Sequence, residues 1–345
     1  MEVFSKRQTN IAKGTAILMV LWHHLFYNSP KYQSQFVSLI KIAGIPLATW
    51  ISMVLKMTLS IFLILSGYGL SKAYSRKEHK GLKQKASFVF NHLFRLMQEY
   101  WFVYILFVPL GFFFGRNPTV VYHNSLRLFL ADFFGLSYLY TGGNEFTMNA
   151  VWWYMSLIIV YYLLFPLLHS LLKRWPEAVL VCAAVISIFL QQFRYLDRWI
   201  FPFVLGIYCS ERDLFKKISR AVQGRINRFM SVTVFLLMCS FLRLEIGDAA
   251  FFYVYDSIFG IGVILFCFWF LSKIKGVDKV LELFGIYSGM IFMFHPFFYE
   301  YYFAKYIYAG KYAPVIFITL AGVCLATAFL LNRLKSLIKS KKVVQ

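Results

Sequence analysis

Charge is scarce in this chain, and acid scarcest of all. Of its 345 residues only 15% are charged, with 15 acids set against 36 bases. A soluble domain carries about 25% charged residues, so a water-solvated globule is excluded. Cysteine is sparse and unpaired. Cys182, Cys209, Cys239, Cys267 and Cys324 contain no Cys-x-x-Cys, which removes a redox dithiol and a cysteine zinc site and leaves buried, inert thiols. No metal-ligand spacing occurs, and the adjacent His23 and His24 point about 100° apart on a helix. A Gly-rich phosphate loop and an internal repeat are also missing. The net charge of +21 therefore has no folded basic module to reside on, so nucleic acid is not the expected partner.

Long apolar runs are what the chain does have. It is 60% hydrophobic and 20% aromatic, with a mean hydropathy of +0.63. About ten blocks approach the ~20 residues that cross a bilayer as a helix: 10–27, 50–71, 88–114, 150–172, 177–193, 196–210, 229–243, 251–272, 283–304 and 312–332. The sixth is short and holds Pro202. Trp50, Trp101, Trp175, Trp199, Tyr301 and Tyr302 crowd the block edges, as interfacial belts do. With the N-terminus inside, 26 of the 36 Lys and Arg fall on the inner half, Arg95 included. Every inner loop then obeys the positive-inside rule, and an odd helix count would break the pattern. The expectation is an all-α polytopic membrane bundle of ten helices. It forms one domain over about 10–332, with a short basic tail and both termini cytoplasmic. The lipid bilayer is its first partner, and its basic loops touch anionic headgroups. Asn28-Ser-Pro-Lys31 offers no small-x-small cleavage site, so the first block reads as an uncleaved helix.

Four polar constellations stand inside the apolar blocks. Lys13 and His24 lie eleven residues apart, on one helical face and roughly 16 Å apart along the axis. Lys13 could simply snorkel and the histidines sit near an interface, but the shared face lets the two bracket one long ligand. In the second block, Gly67 and Gly69 permit a close backbone approach, and Ser60 and Ser66 offer hydroxyls. In the third, His92, Arg95 and Glu99 form one stripe, in which an Arg–Glu pair could do no more than close the bundle. The fourth joins Trp152-Trp153-Tyr154 to His295, which precedes Pro296 in a helix where the proline frees a carbonyl four residues earlier.

Set in order, these motifs resemble the acyltransferase family 3 of bacterial integral membrane enzymes, over about residues 7–332. The family opens its first helix with Arg or Lys, then ten residues, then a catalytic His, as Lys13 and His24 do. Its Phe-x-x-x-Ser-Gly-Tyr/Phe matches Phe62-Leu-Ile-Leu-Ser-Gly-Tyr68. Trp152-Trp153-Tyr154 looks like its central aromatic signature, and Ser288 to His295 like its late Ser-x-x-x-Tyr-x-x-His, with Phe292 at the Tyr. The family's Arg-x-x-Arg before Pro reads here His92-Leu-Phe-Arg95 and then Gln98, so one cation has become a titratable ring.

The resemblance implies transfer of an acyl group, usually acetyl from acetyl-CoA, to a hydroxyl of a surface carbohydrate in the bacterial cytoplasmic membrane. On that reading His24 is the general base, because imidazole titrates nearest neutral pH. Ser66, Arg95 and the backbone near Gly67 are candidate oxyanion donors. Lys13, with Arg95, meets the CoA phosphates, while Trp152, Trp153, Tyr154 and His295 face the acceptor. With only a basic tail after residue 332, a capsular, exopolysaccharide or lipid-linked glycan is the expected acceptor. A transporter or flippase for a lipid-linked glycan is the competing class, since aromatics and broken helices suit a sugar path as well. A sensor or assembly subunit that kept the fold without the chemistry is a third.

Overall fold

The computed structural model describes residues 4–27, 35–77, 79, 81–189, 196–247 and 252–341. Helix α1 (Lys6–Phe26) begins four residues before the apolar block. A capping box sets its start: the Ser5 hydroxyl accepts from the Gln8 N–H, and the Gln8 amide oxygen accepts from the Ser5 N–H. A two-residue hairpin, Lys41–Ile42 against Ile45–Pro46, leads into α2 (Leu47–Leu55). A 3₁₀ turn at Lys56–Thr58 separates α2 from α3 (Leu59–Tyr74). Then come α4 (Leu82–Phe107), α5 (Leu126–Phe133), α6 (Trp153–Arg174), α7 (Pro176–Phe189), α8 (Ile200–Glu211), α9 (Leu214–Ala221), α10 (Arg225–Ile246), α11 (Phe252–Trp269), α12 (Val277–Pro296) and α13 (Ala313–Lys341).

The chain is an all-α, multi-pass membrane bundle. Among the described residues seven helices are long and apolar enough to cross a bilayer: Leu47–Tyr74, Leu82–Phe112, Ala150–Arg174, Arg225–Glu245, Tyr253–Lys273, Val277–Tyr301 and Ala313–Ile338. The other three expected segments fall short of that standard among the described residues, so the count of ten is not confirmed. Lys6, Arg7, Gln8, Asn10 and Lys13 dilute α1, while α7 and α8 have 14 and 12 residues. Positions 190–193 of the fifth expected segment, and Asn28–Lys31, lie outside the described residues. Contacts gather the basic segments at one end. Arg7 pairs with Asp278 and with Glu282 at 3.1 Å. At the same end Lys72 meets Asp213 at 3.2 Å, and Arg212 meets Glu177 at 2.8 Å.

Helices α1 and α12 run parallel at the centre, in a constant register. Arg7 and Asp278 are 271 positions apart in the chain, and so are Gly14 and Gly285, and His24 and His295. The pair can close because both crossing residues lack a side chain. A Cβ on Gly14 would lie 1.8 Å from the Leu281 carbonyl oxygen, and one on Gly285 1.8 Å from that of Asn10. A second crossing joins α3 to α8, where a Cβ on Gly67 would meet the Phe203 carbonyl oxygen at 2.2 Å and one on Gly206 that of Ile64 at 2.1 Å. Gly69 has nothing near it. Gly67 therefore serves packing, and the sealed helix face leaves its backbone no room to donate to an oxyanion. One apolar cluster fills the space among α1, α3, α6, α8 and α11; the other fills that among α1, α4, α12 and α13.

Candidate active site

The far end of the α1/α12 pair brings two of the sequence-predicted residues together. The His24 and His295 rings lie 5.1 Å apart between centroids, and Tyr299 stacks on both, at 5.9 and 5.8 Å. His295 is wholly buried, whereas His24 is half-buried and makes no hydrogen bond among the described residues. Pro296 interrupts the hydrogen-bond ladder of α12 beside this pair. It has no N–H for the Phe292 carbonyl, and the His295 Nδ1 takes that oxygen at 2.9 Å, sharing with the Ile291 carbonyl at 3.1 Å. Carbonyls only accept, so in the neutral ring the proton sits on Nδ1 and the lone pair on Nε2. Nε2 is buried and has no hydrogen-bond partner among the described residues.

Beyond Pro296 the helix widens into a π turn, Phe297–Tyr301. The Phe297 N–H reaches His295 and Phe294, leaving the Met293 carbonyl out of the ladder. Two side chains from before α6 claim that oxygen: Asn149 Nδ2 at 3.0 Å and Trp152 Nε1 at 2.8 Å. Trp152 is thus a buried support for the junction between His295 and the widened turn that follows it. Tyr154 faces Phe292 at 5.2 Å, while Trp153 turns to Trp199 and Tyr138, at 6.3 and 6.2 Å.

The remaining predicted residues lie elsewhere. Lys13 is half-buried on α1, about three turns from His24 towards the basic end, and makes no ion pair among the described residues. The Ser66 hydroxyl meets that of Tyr162 at 3.2 Å. No contact joins it to either histidine; its link to them is Phe62, one turn away, whose ring is 6.0 Å from Phe292. Arg95 is exposed, and Glu99 pairs with Lys335 at 3.0 Å, so the Arg95–Glu99 closure does not form. His92 turns back on its own helix, its Nδ1 donating to the Phe88 carbonyl one turn earlier at 2.8 Å. His23 is occupied as well, its Nδ1 donating to the Ser52 carbonyl at 2.8 Å.

Sequence reasoning missed the framework behind Asn149. Buried Asp132 accepts from Tyr122 (2.7 Å), Thr147 (2.7 Å) and the Met148 N–H (3.0 Å). Arg116 holds the same stretch through the Thr147 and Met148 carbonyls, both at 2.9 Å, and lies 4.0 Å over the Tyr301 ring. Burial pushes the Asp132 carboxyl up to about 6, against the pull of its three donors. An acid in a short apolar helix was the available signal, and its partners stand up to 16 positions along the chain.

A histidine pair in the membrane, with a bare acceptor nitrogen held ready, suits proton transfer from a hydroxyl. The family model described as an acyltransferase domain matches residues 8–333, nearly the whole chain. The chain belongs to that family and is a membrane acyltransferase. No curated protein and no solved structure matches it.

Proposed function

We propose that this acyltransferase moves an acetyl group from acetyl-CoA to a hydroxyl of a cell-surface or lipid-linked carbohydrate. It does so in a bacterial cytoplasmic membrane, with both termini in the cytoplasm. The His24–His295 pair carries the reading. The acceptor hydroxyl oxygen attacks the thioester carbonyl, and its proton passes to His24. The tetrahedral intermediate then collapses with loss of the C–S bond, and the CoA thiolate takes the proton back from His24. The products are an O-acyl ester and the free thiol.

His295 acts through His24. With Nδ1–H committed to two carbonyls, its Nε2 accepts from the other ring N–H of His24 after a small rotation or through one water. That orients the base and steadies its imidazolium, as the third member of a triad does. Lys13 lies between the basic end and His24 and, making no ion pair among the described residues, offers a cation to the CoA pyrophosphate where the acyl-bearing arm begins. The positive-inside distribution of Lys and Arg supports a cytosolic donor.

Purified protein in nanodiscs is expected to turn over acetyl-CoA with no gradient, and surface glycans to lose an acetyl mass increment when the gene is deleted. Lys13→Arg should keep CoA binding and Lys13→Glu lose it. Glycan movement across sealed vesicles without thioester turnover would overturn the proposal in favour of a transporter.

A further inference from the structure

At the basic end, away from the histidines, a cavity of about 350 Å³ opens between α9, α10 and the end of α11. One wall is aromatic. Phe4, just before α1, stacks on Phe215 at 5.2 Å and meets Tyr68 and Phe268 at 5.5 and 5.7 Å. Trp269 completes that wall, its Nε1 held by the Ser219 hydroxyl at 3.0 Å. The other wall is cationic: Lys72, Lys216, Arg228 and Lys273, with Asp213 the one acid among the described lining residues.

The cations are not equivalent. Asp213 and the Ser210 carbonyl pin Lys72 at 3.2 and 3.1 Å. Arg228 is braced by the Val222 and Ser219 carbonyls at 2.9 and 2.6 Å, which position its guanidinium 5.5 Å over Trp269 without neutralising it. Lys216 and Lys273 are exposed and have no acidic partner among the described residues. A more open basin beside the cavity shares Ser219, Arg228, Trp269 and Lys273, and adds Arg220 and Arg225. Aromatic rings beside the exposed ammonium groups of Lys216 and Lys273 suit a planar base carrying phosphates.

The cavity lies at the Lys13 end of the catalytic axis. Phe4 in its wall stands just before α1, nine residues before Lys13, and the shared face of Lys13 and His24 continues from there along the helix. We infer that this aromatic and basic cleft seats the phosphorylated nucleoside end of the donor, leaving the acyl-bearing arm to run past Lys13 to His24. The inference rests on the acyl-CoA reading of the histidine site. Phosphate chemistry is shared with anionic lipid headgroups; the aromatic wall and the enclosure favour the nucleotide.

The test is calorimetric binding of CoA, adenosine 3′,5′-bisphosphate and pantetheine to the protein in zwitterionic nanodiscs. The bisphosphate should compete with CoA. Lys216→Gln and Lys273→Gln should each weaken CoA about tenfold, as losing one charge-assisted hydrogen bond does, and leave pantetheine binding alone. Lys279→Gln, on the same end but outside the cleft, should change nothing. CoA binding indifferent to both cleft lysines, or no competition, overturns the inference. So does an effect confined to nanodiscs containing anionic lipid, which assigns the lysines to headgroups. Because binding is read without turnover, the two readings fail separately. Nucleotide binding by a protein that leaves glycans unacetylated removes acyl transfer, whereas acetylation by a protein whose CoA affinity ignores both lysines removes the cleft.

Discussion

A neutral imidazole offers one lone pair, and its neighbours decide which nitrogen offers it. Two carbonyls fix that choice for His295, and the Ser52 carbonyl fixes it for His23; His24 is the ring left open. The difference separates adjacent residues. His24→Ala should lower acyl transfer by about 10²–10⁴-fold, the usual cost of losing a positioned base, while the protein still inserts. His23→Ala should act mainly on stability, by freeing the Ser52 carbonyl, and leave turnover within a few-fold. The check is single-turnover acetyl transfer beside a thermal melt for each variant. Activity should also fall on acidification, since only the neutral His24 ring accepts a proton. Equal losses at both positions would place the base elsewhere. Composition and spacing were enough to single out Lys13 and His24, because an eleven-residue interval on one helix is local information. The bare Nε2 of His295 was half legible: Pro296 announces a freed carbonyl, but which group takes it is decided in three dimensions.

Elements, unlike residues, are held here by distant sequence. The π turn after Pro296 stands only because Asn149 and Trp152, more than 140 positions away in the chain, cover the Met293 carbonyl. The loop bearing Asn149 is in turn held by Asp132 and Arg116. No periodicity reports such pairings, so Asn149, Asp132 and Tyr299 were invisible while the neighbouring Trp-Trp-Tyr motif stood out. Asp132 carries a pH signature. Its carboxyl titrates near 6 in the folded protein against an ordinary 3.8, chiefly because it is buried. The folded state therefore holds the proton more tightly than the unfolded chain. The resulting stabilisation is complete below about pH 4 and lost as pH rises through about 6, an effect of up to about 3 kcal/mol. The melting temperature of the wild type, relative to Asp132→Asn, should accordingly drop between pH 4 and pH 7. A constant difference across that range would mean that Asp132 does not titrate there.

At the scale of the whole molecule, membrane class and the gathering of basic loops were legible because bilayer thickness and charge asymmetry act on long stretches of sequence. Helix count was less so. Polar residues keep α1 below the apolar standard even though it lies at the centre, and α7 and α8 are too short to meet it. What makes α1 tolerable in a membrane is its partner: in-register packing on α12 pairs Arg7 with Asp278, closes the Gly14–Gly285 crossing and delivers His24 to His295. That register predicts a sidedness. Lys13 belongs to the half of α1 that shares an end with the N-terminus, and His24 to the half beyond the crossing. In a cysteine-less background, a cysteine at position 13 should react with an impermeant maleimide only from the cytoplasmic side, more slowly when CoA is present. A cysteine at position 24 should be shielded from that side and open only from the other. Labelling of both positions from one face would mean that donor and acceptor share an entrance, and transfer across the bilayer would then give way to transfer at one surface.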